Sequence, residues 1–196
     1  LSISQEKVDL EGELLKAKIK SIMDRRKIEA KQLNLSWNGF RKFKVVSKVE
    51  ETSDITSFYL APHDGKELPE FLPGQFLTFQ IPLPTQPHPV IRCYSLSDSP
   101  FHPERYRVSI KRVLAPRDNP SSPPGLISNY FHDSLNENDI VDIKAPSGHF
   151  HLSMTKKFPV VLLAGGVGIT PLLSMLNAIT EMGSQREVWF FLGVRN

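Results

Sequence analysis

The spacing of apolar residues changes twice along the chain. Over residues 6–33, Leu15, Ile19 and Ile22 recur at i, i+4 and i+7, with Leu14 and Met23 beside them and charges elsewhere, which predicts a helix with one apolar stripe. The stripe is too short for a coiled coil and is expected to pack on a neighbour. From Phe40 the pattern turns to runs rich in β-branched and aromatic residues, predicting strands at 40–49, 55–60, 75–81 and 106–113. A further strand at 139–144 alternates strictly and places Val141 and Ile143 on one face. Turn signals separate these runs, and strands at such spacing predict an antiparallel barrel or sandwich. Proline-rich stretches at 82–89 and 116–124 cannot serve a sheet ladder and read as surface loops, and 125–135 reads as one short helix.

A third texture begins at Phe158. Residues 159–164 are unbroken apolar, as a strand buried on both faces requires. Residues 165–169 are glycine-rich, and 170–182 are helical, with Thr170 as N-cap, Pro171 at the first helical position and Gly183 at the end. Residues 187–192 form a second apolar strand, so strand, helix and strand predict one parallel βαβ unit. The expected organisation is a basic helical arm over 1–38, an antiparallel β-barrel with one short helix over 39–155, and the start of an α/β nucleotide-binding domain over 156–196. The first residue is Leu1, which fits a chain starting inside a longer protein, and a lone βαβ unit fits a second domain that is truncated at Asn196.

Charge and cysteine content narrow the possible chemistry. Residues 1–50 hold 12 basic against 7 acidic side chains, net +5, whereas 51–196 hold 12 against 14, net −2. The basic character therefore lies in the arm, where no aromatic residues interleave with the cations, so nucleic-acid binding is not expected. Cys93 is the single cysteine, which excludes an intrachain disulfide and a cysteine-ligated iron–sulfur or metal site within the chain. It reads as a packing residue, and its solitude fits a reducing, cytoplasmic compartment. The six histidines lack metal-ligand spacing; His149 and His151, two apart, read as loop or packing residues. No run of about 18 apolar residues is present, so no transmembrane helix is expected.

Three segments carry candidate chemistry. Arg92-Cys93-Tyr94-Ser95 lies on an extended segment, so Arg92 and Tyr94 share a face. Arginine suits a phosphate, the tyrosine ring suits a flat aromatic ligand, and Ser95 supplies a hydroxyl donor. Pro124-Gly125-Leu126-Ile127-Ser128-Asn129 opens the short helix and offers free N–H groups and a hydroxyl, again suited to phosphate. Ala164-Gly165-Gly166-Val167-Gly168-Ile169-Thr170-Pro171 is a strand-to-helix turn whose N–H groups and helix dipole can receive a pyrophosphate. It departs from G-x-G-x-x-G, and no acidic residue ends the second strand to hold a ribose; that strand runs into Gly193-Val194-Arg195-Asn196, a polar and basic end.

In this order and spacing the segments resemble the ferredoxin–NADP reductase superfamily. They are most similar to the reductase portions of flavohaemoglobins and of flavin–iron–sulfur electron-transfer proteins. The resemblance covers residues 40–196 and includes Val108-Ser109-Ile110-Lys111-Arg112 and Ala145-Pro146-Ser147-Gly148-His149-Phe150. It implies an FAD-binding barrel, with FMN disfavoured, and NADH or NADPH as co-substrate. Arg92 would hold flavin phosphate. Tyr94 and Ser95, the candidate catalytic residues, would lie along the isoalloxazine and hydrogen-bond near N5. The backbone of Val108, Ser109, Ile110 and Lys111 would border the pyrimidine side. Gly125, Leu126, Ile127 and Ser128 would hold the pyrophosphate, and Gly165, Gly166, Gly168, Thr170, Pro171 and Arg195 would receive the nicotinamide dinucleotide. Electrons would pass through FAD to a one-electron acceptor, an iron–sulfur or haem domain or protein. The competing expectation is a flavin-binding module without turnover, docking through its basic helix.

Overall fold

Alternation of apolar and polar residues in the second texture produces one continuous antiparallel sheet. The computed structural model describes residues 2–116 and 118–194. Its strands are β1 (Arg41–Thr52), β2 (Ile55–Pro62), β3 (Phe76–Ile81), β4 (Val90–Ser95), β5 (Tyr106–Lys111) and β6 (Ile140–Ser147), in the order β4-β3-β6-β1-β2-β5. Phe43 and Val45, Phe58 and Leu60, Leu77 and Phe79, Tyr106 and Val108, and Val141 and Ile143 all turn inward at two-residue spacing and form the core. Leu96, just past β4, bridges Val108 of β5. Its N–H donates to the Gln75 carbonyl at 2.9 Å, and the Ser97 N–H donates to the Arg107 carbonyl at 2.9 Å. The two edges of the sheet thus meet, giving the expected barrel and removing exposed edges. β4 was legible only as an extended motif, because polar Arg92 and Cys93 interrupt its alternation.

Helix α2 (Leu126–Asp133) lays Ile127 and Phe131 into this core. The Phe131 ring meets Phe58, Phe79 and Tyr94 edge-on, with centroids 5.2, 5.3 and 5.3 Å away. Each such pair contributes about 0.5–1.5 kcal/mol beyond its burial. Phe131 therefore ties α2 to the strand that carries Tyr94.

The third texture forms β7 (Val160–Gly165) and β8 (Val188–Gly193), paired in parallel through helix α3 (Ile169–Glu181). Leu162, Leu172 and Met175 make a small second core. On the other face Val161, Leu163, Trp189 and Phe191 are exposed, so this unit is covered on one side only among the described residues. α3 is also fastened to the barrel: Asn177 donates to Asp98 at 3.2 Å, Ser99 bonds Glu181, and His102 lies 3.3 Å from Glu181. Gly183 closes α3, with its N–H on Thr180 and the Ser184 N–H on Ile179, as expected.

The chain divides into two compact units, Leu1–Ser36 and Trp37–Asn196. The first is helix α1 (Ser2–Leu35), longer at both ends than the apolar pattern suggested. Along this helix the stripe of Leu14, Leu15, Ile19, Ile22 and Met23 is exposed. The stripe is narrow and flanked by Lys16, Lys20 and Asp24, so burying it would also desolvate charges. No helix among the described residues is long and apolar enough to cross a membrane.

Candidate functional site

One cleft of about 1320 Å³ lies in the second unit and gathers the segments singled out above. That exceeds the roughly 300–1,000 Å³ of ordinary small-ligand pockets and leaves room for a long ligand. β4 contributes residues 92–95, β5 and its following loop residues 109–116, α2 residues 125–128, and the glycine turn Val167, Gly168, Thr170 and Pro171.

On β4, Tyr94 is half-buried, with its ring edge-on to Phe79 at 5.7 Å as well as to Phe131. Burial pushes its phenol up to about 12, with the Arg92 charge pulling weakly the other way. Tyr94 is therefore neutral and rigidly seated across the physiological range. Arg92 is exposed, and one guanidinium nitrogen donates to the Ile91 carbonyl at 2.7 Å. The other cations of the cleft are paired: Lys111 with Asp54 at 2.8 Å and Arg112 with Asp133 at 2.7 Å. The Lys111 hydrogen bond holds the Asp54 carboxyl below the usual carboxylate range, with help from Thr52, and the Arg112 hydrogen bond does the same for Asp133. Arg92 is thus the cleft cation, among the described residues, that keeps its charge free of a carboxylate and available to an anion.

At α2 the N-cap is Gly125, which has no side chain to cap the helix. A Cβ there would meet Ser128 Oγ at 2.6 Å and Val113 Cβ at 2.7 Å. The Ser128 hydroxyl, expected to be free for phosphate, instead accepts from the Val113 N–H at 3.3 Å and donates to the Gly125 carbonyl at 3.2 Å. Asn129 adds bonds to the Val113 and Gly125 carbonyls at 2.8 and 2.6 Å. With its hydroxyl committed to the loop, α2 offers the cleft its first-turn N–H groups, which have no acceptor within the helix.

The cap of the glycine turn lies two residues earlier than expected. β7 runs through Gly165, Gly166–Gly168 make a single 3₁₀ turn, and α3 begins at Ile169 with Gly168 as N-cap. Thr170 is therefore no cap. Its hydroxyl donates back to the Val167 carbonyl at 3.2 Å, because the tight turn brings that carbonyl beneath it. Pro171 is the third helical residue, where a missing N–H still costs no helical bond. Gly166 has φ +51, a left-handed conformation that disfavours a side chain. A Cβ on Gly165, Gly166 or Gly168 would meet nothing within 4 Å.

The cleft gathers Arg92, Tyr94, Ser95, Ser109, Ile110, Lys111, Gly125, Leu126, Ile127, Ser128, Gly168, Thr170 and Pro171 from the expected set. Val108 is not on its wall, since its side chain is fully buried in the barrel. Gly165 and Gly166 are exposed beside the cleft residues Val167 and Gly168 without lining the cleft themselves, and Arg195 lies outside the described residues. Cys93, expected to pack, is exposed on the cleft wall and only loosely engaged by the Thr78 hydroxyl at 3.5 Å. Asp54, Arg112, Asp118, Val167 and the stretch 113–116 were missed. Exposed Val113 and Leu114, an apolar pair before a polar loop, were the one available signal. Asp54 carries no signal of its own, since only the β2–β5 register, with Ile55 opposite Lys111, brings it there. His149 and His151 are exposed in the loop after β6.

Residues 42–152 match the family model described as an oxidoreductase FAD-binding domain, and residues 162–196 match an oxidoreductase NAD-binding domain. A flavohemoprotein of Halalkalibacterium halodurans is 44% identical over 162 residues, covering 83% of this chain and 38% of the relative. The chain thus spans well under half the length of that relative. The flavohem-like FAD/NAD-binding domain of nitric oxide dioxygenase from Vibrio cholerae superposes with a TM-score of 0.70 at 31% identity, over 81% of this chain and 64% of that one. Phthalate dioxygenase reductase, described as a modular structure for electron transfer from pyridine nucleotides to [2Fe-2S], superposes with a TM-score of 0.65 at 31% identity, over 81% and 45%.

Proposed function

Because this chain belongs to the ferredoxin–NADP reductase superfamily, as an oxidoreductase FAD-binding domain running into an NAD-binding one, we propose that it passes electrons from a nicotinamide dinucleotide through FAD to a one-electron acceptor. One observation carries the reading: β4, the start of α2 and the start of α3, far apart in sequence, line the same cleft. The division into a barrel over 39–155 and a nucleotide-binding portion over 156–196 belongs to the same proposal.

The residues present fit FAD. Arg92 keeps an unpaired positive charge for phosphate, and the first-turn N–H groups of Leu126, Ile127 and Ser128 provide a neutral anion cradle. Gly125 lines the cleft and lets the loop close on Ser128. Tyr94 presents a neutral ring held by Phe79 and Phe131, which suits a planar heterocycle. The Ser95 hydroxyl makes no hydrogen bond among the described residues and is available as a donor. Ser109, Ile110 and Lys111 of β5 border the heterocycle, whereas Val108 stays in the barrel core. The open space over Gly165, Gly166 and Gly168, with Thr170 and Pro171 fixing the helix start, leaves room for the nicotinamide dinucleotide. When bound, FAD supplies the chemistry: it takes a hydride from reduced nicotinamide and releases single electrons. The protein binds, orients and excludes water. An iron–sulfur or haem group is the acceptor class proposed. A reducing, cytoplasmic setting suits the exposed Cys93 thiol.

The test is direct. The purified chain mixed with FAD is expected to retain it through gel filtration, with a yellow protein peak, and NADH or NADPH is expected to bleach that absorption. Failure to take up FAD removes the proposal. Uptake without bleaching by either nucleotide reduces it to a flavin-binding module.

A further inference from the structure

The outer face of β5 carries a hydroxyl chain that the cofactor contacts above leave unexplained. Arg107 and Ser109 alternate with the core residues Tyr106, Val108 and Ile110, and Ser57 of β2 lies directly opposite Ser109 in register. Arg107 Nε donates to Ser97 Oγ at 3.1 Å. Ser97 Oγ lies 2.9 Å from Ser109 Oγ, which lies 2.7 Å from Ser57 Oγ. Ser57 and Ser97 are fully buried, whereas Ser109 is half-buried and lines the cleft. The chain therefore runs from an obligate cation to the cleft wall.

Proton counting gives the chain a direction. Arginine only donates, so Ser97 Oγ is an acceptor toward Arg107 and its own proton goes elsewhere. Its near acceptor is Ser109. The alternative, the Arg107 carbonyl, is 3.4 Å away and already receives the Ser97 N–H at 2.9 Å. Ser109 and Ser57 then share one contact. If Ser109 donates, the buried Ser57 proton has no acceptor among the described residues, which is costly. If Ser57 donates, both lone pairs of Ser109 are filled, and the Ser109 proton is the one left over. That proton can reach an acceptor only in the cleft. Moving between the two states rotates O–H bonds and shifts no heavy atom.

We infer that the Ser109 side chain is a binding and positioning donor for the cleft's occupant, oriented by Ser97 and Ser57 and anchored on Arg107. This rests on reading the cleft as the FAD site, where the matching acceptor is a pyrimidine carbonyl or ring nitrogen. Ser97 and Ser57 act through Ser109 and touch no ligand. The charge of Arg107, passed along the chain, strengthens the Ser109 donor, because hydrogen bonds in series polarise one another. Electron density added to the pyrimidine ring strengthens the same bond, so the donor favours the reduced cofactor.

The experiment compares wild type with Ser109→Ala, Ser109→Thr and Ser57→Ala in the full chain. FAD affinity is read by titration and the midpoint potential of bound FAD by spectroelectrochemistry. Ser109→Ala is expected to weaken FAD about threefold to tenfold, the worth of one hydrogen bond, and to lower the potential. Ser109→Thr keeps the hydroxyl on a strand that accepts a branched side chain and is expected to restore both. Ser57→Ala removes the donor that turns the Ser109 proton outward and is expected to weaken FAD by less than Ser109→Ala does, which also decides the matter if Ser109→Ala unfolds. Unchanged affinity and potential in Ser109→Ala overturn the inference and leave the FAD reading standing, as does a Ser57→Ala variant whose FAD affinity equals that of wild type. A wild-type chain that takes up no FAD overturns both.

Discussion

Two glycine turns open helices onto the same cleft, and they are glycine for opposite reasons. At Gly125 the protein itself occupies the space a side chain would need, with Ser128 Oγ 2.6 Å and Val113 Cβ 2.7 Å from the position of an added Cβ. The turn is closed, and its hydroxyl and amide side chains are spent on the loop. At Gly165, Gly166 and Gly168 the added atoms would meet nothing. That turn is open, and its glycines keep a surface bare. A closed turn contributes to the fold and presents a fixed set of N–H groups, whereas an open one leaves space that only a ligand fills. On the proposed function, the closed turn suits a tightly held cofactor and the open turn a co-substrate that exchanges.

Substitutions can break this contrast, and the largest effect is expected on the closed side. Phe131→Ala removes the ring that seats α2 against Phe58, Phe79 and Tyr94, and denaturant unfolding is expected to show a loss of about 3–5 kcal/mol. Gly125→Ala forces Val113 and Ser128 apart and is expected to cost about 1–3 kcal/mol by overpacking, with FAD uptake lost in the same preparation. Equal stability and equal FAD uptake in Gly125→Ala would show that the closed turn is not closed.

On the open side Gly166→Ala is expected to cost about 1–2 kcal/mol, from its left-handed backbone alone. Gly168→Val is expected to leave thermal stability and FAD binding within error while raising the KM for NADH or NADPH, since its side chain enters space the protein does not use. A Gly168→Val variant that melts early would erase the distinction between the two turns. The smallest effect at ordinary pH concerns Tyr94. Burial raises its phenol from about 10 to about 12, so the neutral form is favoured by folding. That contribution is fully present below pH of about 10 and is lost as pH rises through about 12. Alkaline melts are expected to fall across that window, and less steeply in Tyr94→Phe.

The chain by itself determined a good deal. Period-two alternation specified the inward faces of the strands, as at Val141 and Ile143, and an unbroken apolar run followed by glycines specified the parallel unit. These patterns are local consequences of backbone geometry, so they survive without tertiary context. The three motifs, too, were readable as residue types suited to phosphate and to a flat ring. What only the tertiary structure decided is what each group is free to do. Ser128 looked available for phosphate and is consumed by its own loop, whereas Cys93 looked like packing and stands open on the cleft wall. Asp54 and Asp133 neutralise Lys111 and Arg112 and leave Arg92, among the described residues, as the unpaired cation of the cleft. Asp54 reaches the cleft, and Ser57 reaches Ser109, only through the register of β2 on β5. Hydrogen-bond partners and charge pairs depend on which distant segments fold side by side, and one sequence read in order carries no record of that.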